Sequence, residues 1–204
     1  RLALTYLDAL PEAYRVRTSA AEAARDIVRL ADLNGSEDRK VRLISCDSEG
    51  DLRLKVYRFG GFVPLSEVVP VLENFGFRVL EEVPTRLGDG GLGYIHDFDV
   101  DMPAGVDCAG SLQRDETVER AIACVLRGEA ENDDFNKLIL AAEIPARAVV
   151  WLRAWFRYLR QTGVTYGVAT VVDALGRAPQ ATRALIDIFS SLHDPQVKGD
   201  RQTV

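Results

Sequence analysis

Three aspartates, Asp97, Asp99 and Asp101, alternate along one short segment, and a period of two places all three carboxylates on one face of a strand. Such a row invites a divalent cation, because hard cations take carboxylate oxygens. The calcium-loop template fails, since its glycine position falls on Met102 and its glutamate position on Cys108. The row is read instead as a solvated strand face whose charges discourage pairing at a sheet edge, and no metal site is expected. His96 falls on the opposite face with Tyr94, Phe98 and Val100, where it reads as a histidine hydrogen-bonded within the sheet. The competing reading, general acid–base work, lacks any accompanying Ser or Cys nucleophile motif.

Two glycine clusters and one aromatic cluster complete the set of chemistry-bearing positions. Gly88 to Gly93 is glycine-rich but lacks the Lys-Ser/Thr of a phosphate-binding loop and does not open a helix, so it reads as a hairpin loop. No G-x-G-x-x-G stands between a strand and a helix, so no dinucleotide site is expected. Gly60 and Gly61 lie at a strand-to-helix turn, followed by Ser66 at a helix start. Glycines there let backbone N–H groups approach a small ligand, and the adjacent helix N-terminus favours a carboxylate. Gly60, Gly61 and Ser66 are therefore candidates for binding an amino-acid effector, the competing reading being glycines needed only for a tight turn. Trp151, Trp155, Phe156 and Tyr158 interleave with Arg147, Arg153, Arg157 and Arg160, a mixture that can stack bases beside phosphates. A packed helix explains it better, with Leu152, Trp155, Phe156 and Leu159 as an apolar stripe and the arginines meeting carboxylates such as those of residues 131–134. Trp151, Trp155, Arg153 and Arg157 are candidates for an interdomain or subunit contact, where Trp and Arg are favoured anchors.

The elements that must position these residues can be read from periodicity. Ala20, Ala23, Ala24, Ile27, Leu30, Ala31 and Leu33 form a helical stripe behind a Thr18/Ser19 cap. From Lys40 the period becomes two, giving a hairpin of two strands turned at Asp47 to Gly50. A short helix follows with Ser66 as its cap and Pro70 in its first turn, then a strand over 77–83 and a strand over 94–100. Beyond Val118 every segment has helical spacing, over 118–126, 135–142, 149–159, 168–175 and 182–192. The order strand, strand, helix, strand, strand, helix is shifted by one strand from the ferredoxin-like βαββαβ order. The fold expected is α+β: a four-stranded antiparallel sheet with two helices on one face, followed by an all-α helical domain. The domains expected are a helical lead-in over 1–38, the sheet domain over 39–129 and the helical domain over 130–204.

The chain has 204 residues, 47% of them hydrophobic and 27% charged, with a net charge of −6. That composition excludes disorder and a collagen-like fibre. No window approaches the roughly 20 uninterrupted apolar residues of a bilayer span, and the negative net charge offers no electrostatic footprint for nucleic acid. Two histidines and three cysteines without a C-x-x-C argue against a zinc site and suit a reducing, cytoplasmic compartment. The chain opens Arg1-Leu2-Ala3, without Met or an export signal, and is read as a piece of a longer protein.

Several blocks resemble one family. They are Tyr57-Arg58, Pro64-Leu65-Ser66, Pro70 through Val79 (PVLENFGFRV), Tyr94-Ile95-His96-Asp97-Phe98, Asp134 through Ala142 (DFNKLILAA) and Leu152 through Gln161 (LRAWFRYLRQ). In order and spacing they look like the large bacterial NAD-specific glutamate dehydrogenases, across most of the chain. The resemblance implies a position in the long N-terminal part, with its ACT-like regulatory modules and helical connectors, before the catalytic region. The sheet domain over 39–129 is then similar to an ACT module. The family's catalytic lysine motif and nucleotide-binding glycines have no counterpart here, so no catalytic or cofactor-binding residue is carried over. The resemblance implies NAD as the cofactor of the parent enzyme and none in this segment. It implies as partners the rest of the parent chain with its catalytic domain, further copies in a homo-oligomer, and an amino-acid effector. Two other readings stand beside it: a structural spacer without ligand, and a free-standing small-molecule domain or enzyme using His96 with Asp97, Asp99 or Asp101.

Overall fold

The computed structural model describes residues 2–45, 52–103, 106 and 115–194. The expected turn at Asp47 to Gly50, Cys46 and Cys108 lie outside the described residues. The chain forms two compact units, Arg1–Glu73 with Phe77–Asn132 and Asn74–Gly76 with Asp133–Val204.

The first unit is built on a four-stranded sheet of β1 (Lys40–Ser45), β2 (Leu52–Arg58), β3 (Arg78–Arg86) and β4 (Tyr94–Asp101). The spatial order is β1-β2-β4-β3 and all three neighbouring pairs are antiparallel. This is the ACT-like α+β architecture expected from the strand and helix order. On one face Leu54 and Val56 of β2 stand beside Phe98 and His96 of β4, and all four are buried. The helix α4 (Leu65–Asn74) contributes buried Val68, Val71 and Leu72.

The second face is where the structure departs from expectation. Helices α1 (Leu2–Leu7), α2 (Glu12–Arg17) and α3 (Ala20–Ala31) belong to the same unit as the sheet. Tyr6, Leu10, Tyr14, Ile27, Leu30 and Leu33 form a core cluster with Tyr57, Leu87 and Ile95, so the sheet carries helices on both faces rather than one. The physical reason is the stripe itself, since an apolar helix face must be buried and the second sheet face is the surface in reach. Gly93 marks how close α3 comes: a Cβ there would lie 2.7 Å from Leu30 Cδ2, and its φ of +110° is a glycine conformation. The face of Asp97, Asp99 and Asp101, read as solvated, also carries Arg53 and Lys55 of β2 and is therefore partly enclosed. Lys55 and Asp97 are buried and Asp99 remains exposed.

Helix α5 (Asp115–Leu126) packs against the edge strand β1. Glu119 ties it there, since its Oε1 accepts the Leu43 N–H at 2.8 Å and its Oε2 pairs with Arg29 of α3 at 2.8 Å. The other edge, β3, is blunted by a register shift between Val79 and Glu81, by exposed Glu81 and by Pro84.

The second unit is helical. A 3₁₀ turn (Asp134–Lys137) runs into α6 (Leu138–Ala141), followed by α7 (Ala146–Gln161), α8 (Val168–Arg177) and α9 (Pro179–His193). Phe135, Leu138, Ile139, Val149, Leu152, Val172 and Ile186 are among its buried apolar residues.

Candidate functional site

The turn after β2 carries the effector candidates. Gly60 and Gly61 adopt φ of +79° and +131°, which L side chains rarely tolerate. A Cβ at Gly61 would meet nothing within 4 Å, so its backbone faces open space and glycine is required there by conformation. That geometry serves a tight turn and a ligand approach equally. Ser66 is not the helix cap. Helix α4 begins at Leu65, the Pro64 carbonyl accepts the Glu67 and Val68 N–H groups at 2.9 and 3.3 Å, and Ser66 lies inside the first turn. Pro70 lies within the helix rather than in its first turn; lacking an N–H, it leaves the Ser66 carbonyl without its usual partner four residues on.

Beneath the turn sits His96, 1% exposed. Its Nε2 accepts the Val63 N–H at 3.0 Å, and its Nδ1 lies 2.7 Å from Glu82 Oε1. Because Nε2 is the acceptor, the proton belongs on Nδ1, donated to Glu82. Burial pushes the His96 pKa down and Arg58 and Arg39 add to that, while the hydrogen bond and charge of Glu82 work against it. The neutral ring is therefore a fixed acceptor for the turn. Phe62, half exposed, lies edge-on over Tyr94 and His96 with centroids at 4.7 and 5.7 Å, and Arg58 donates to the carbonyls of Phe59 and Phe62 at 3.0 and 3.4 Å. Val63, Glu82 and Phe62 went unremarked in the sequence because they meet His96 only through the fold.

The aspartate row does not gather a metal site. Asp97 pairs with Arg53 and Asp101 with Arg78, and among the described residues no group of three His, Cys, Asp or Glu side chains could hold an ion. The dense polar centre lies elsewhere, around Asp26 of α3. Its Oδ2 accepts from the Tyr14 hydroxyl at 2.6 Å and from Lys55 Nζ at 2.5 Å, and its Oδ1 from the Tyr57 hydroxyl at 2.7 Å and Arg42 at 3.0 Å. Lys55, wholly buried, also pairs with Glu22 at 2.5 Å. Burial, then the Asp26 charge, raises the pKa of both phenols. Lysine, tyrosines and a carboxylate together resemble catalytic machinery, but every group is enclosed and committed, so the cluster fastens α2 and α3 to the sheet. The sequence held one signal for it: Asp26 stands three residues after Ala23 and four before Leu30, on the apolar stripe itself.

In the second unit, Trp151 and Trp155 are half-buried against Phe189, with ring centroids at 5.0 and 5.1 Å, and Arg147 lies over Trp151 at 6.0 Å. Aromatic faces that a base would stack on are thus spent internally. Arg153 is buried, its Nε and Nη2 donating to Asp133 at 2.6 and 2.8 Å, which leaves it no surface for a partner. Arg157 is exposed. The arginine-to-carboxylate pairing expected for residues 131–134 is therefore made, and made inside the unit. No helix among the described residues is long and apolar enough to cross a membrane.

Three models of one family match successive stretches of the chain: "Glutamate dehydrogenase, helical motif 2" over residues 1–33, "Glutamate dehydrogenase, ACT3 domain" over 41–116 and "Glutamate dehydrogenase, helical motif 3" over 130–195. Among curated proteins, the NAD-specific glutamate dehydrogenase of Halomonas elongata is 34% identical over 194 residues, 93% of this chain and 12% of that protein. That of Pseudomonas aeruginosa is 34% identical over 185 residues, covering 89% and 11%, and that of Mycobacterium tuberculosis 31% over 205 residues, covering 97% and 12%. The chain thus spans 11–12% of the length of these relatives.

Proposed function

The chain belongs to the large NAD-specific glutamate dehydrogenases, as a segment spanning helical motif 2, the ACT3 domain and helical motif 3, and from that premise we propose that it is a non-catalytic regulatory and assembly segment of its parent enzyme. The parent oxidises L-glutamate with NAD and water to 2-oxoglutarate, ammonia and NADH in the cytoplasm, as a homo-oligomer. This segment senses an amino acid and packs against the remainder of the parent chain, including the catalytic domain.

The observation that carries the sensing reading is the Gly60–Gly61 turn, open at the Gly61 backbone, held from below by His96 and set before the first turn of α4. The first N–H groups of a helix have no intrahelical carbonyl and favour an anion, which suits the carboxylate of an amino acid. Sensing further requires that the ligand bind one state of the enzyme better than another.

A second reading, a spacer without ligand, is favoured by a different observation. Leu185, Ile188 and Leu192 are exposed at helical spacing along α9, a stripe suited to burial against further chain. Calorimetric titration of the segment with a panel of amino acids, glutamate included, separates the two. Saturable binding of one amino acid, weakened about tenfold or more by Gly61→Val, supports the sensor. Heat from none of them leaves the spacer standing.

A further inference from the structure

The groove in which α3, the edge strand β1 and α5 meet carries an excess of cationic side chains over what the fold uses. Two adjoining cavities, of about 340 and 470 Å³, share Arg29 and Glu119 as common wall. Arg25 and Arg29 enter from α3, one helical turn apart, Arg25 at the larger cavity and Arg29 at both, while Arg120 enters the smaller from α5 and Arg127 from the turn that follows that helix. The chain as a whole is net negative, at −6, so this concentration runs against its overall charge.

The carboxylates nearby do not account for it. Glu119 commits one oxygen to the Leu43 N–H and the other to a single nitrogen of Arg29, and burial pushes its pKa up, which weakens it further as a counter-ion. Arg127 is held by Glu129 at 2.7 Å. Arg25 and Arg120 are exposed and have no hydrogen-bond or ion-pair partner among the described residues, and Arg29 keeps more than a third of its side chain in solvent. Like charges one turn apart on a helix repel and destabilise it, so stability does not explain Arg25 beside Arg29. Glu116 and Asp115 also reach these walls, from the first turn of α5, where the helix dipole already favours them.

We propose that this groove binds a small oxyanion carrying two or more negative charges, gripped by the guanidinium forks of Arg25, Arg29 and Arg120. Guanidinium matches carboxylate and phosphate oxygens in bidentate geometry, and cavities of this size suit a small metabolite. Both a dicarboxylate and a phosphate-bearing compound present this chemistry. The site is separate from the Gly60–Gly61 turn and does not rest on it.

The test titrates the complete parent enzyme with succinate and, separately, with inorganic pyrophosphate, comparing the wild type with R25A/R120A. Binding elsewhere on the enzyme is common to both proteins, so the difference reports the groove. One probe is expected to bind the double variant about tenfold or more weakly, and which probe does so identifies the dicarboxylate or the phosphate as the natural chemistry. R25K/R120K, which keeps the charges and loses the forks, is expected to fall between. R17A/R177A removes the same charge from exposed positions elsewhere and is expected to match the wild type. Equal affinity of the wild type and R25A/R120A for both probes, no binding of either probe, or an equal loss in R17A/R177A overturns the proposal.

Discussion

His96 accepts at Nε2, and that one lone pair links the state of a side chain to the shape of the turn above it. Protonation converts Nε2 into a donor facing the Val63 N–H, and the bond is lost. Burial holds the folded-state pKa below the ordinary 6.5, so the unfolded chain binds this proton first as the pH falls. Stability from this group is complete above about 6.5, declines as the pH drops below that value toward the folded pKa, and is flat beneath it. An NMR titration should therefore place the His96 midpoint below 6.5 and show the Val63 amide losing protection as His96 titrates. A midpoint at or above 6.5, or a Val63 amide indifferent to the titration, would show that the ring does not hold the turn. The sequence placed His96 correctly on the face of Tyr94 and Phe98 as a hydrogen-bonded sheet histidine. It could not supply Glu82 or Val63, which reach it from β3 and from the turn.

At the scale of elements, periodicity was legible and partnership was not. Strands β1, β2 and β4 and helices α3 and α8 lie within a few residues of where alternation and helical spacing put them. The apolar pattern ends before the backbone does, so β3 runs on through Pro84 to Arg86 and α5 starts at Asp115 rather than near Val118. Lys55 alternates with Leu54 and Val56 yet is wholly buried, and a lone lysine is costly to bury. Asp26, 29 residues earlier in sequence, removes that cost by pairing with it, and no local pattern encodes so distant a partner. Asp26→Ala should thus leave wholly buried Lys55 with only Glu22 and the more distant Asp97 as counter-ions and take from the Tyr14 and Tyr57 hydroxyls their shared carboxylate acceptor. The expected loss is about 3–5 kcal/mol in chemical denaturation. A companion change, Asp173→Ala on the exposed i, i+4 pair with Arg177, should cost well under about 1 kcal/mol. Similar losses from the two would mean that the Asp26 cluster is no stronger than a surface ion pair and that α3 is held by its apolar stripe alone.

At the scale of the whole chain, topology decides what chemistry can be housed. Nucleotide sites of open α/β sheets lie at the carboxyl ends of parallel strands, where strand order reverses and a helix N-terminus meets the pyrophosphate. The sheet here has three antiparallel pairings and its glycine-rich loop, Gly88 to Gly93, closes the β3–β4 hairpin instead of opening a helix. The second unit is helical in its described residues and offers no strand end at all. The folded 204-residue segment should consequently give no enhancement of NADH fluorescence and no glutamate-dependent formation of NADH, while the complete enzyme gives both. Saturable fluorescence enhancement by the segment would place part of the cofactor site within it. Its absence sharpens the regulatory reading, because a segment that touches neither cofactor nor substrate can change turnover only by binding something else differently in two states of the enzyme. The Gly60–Gly61 turn and the Arg25–Arg120 groove are the two places where that difference can be sought by substitution, and each leaves the other intact.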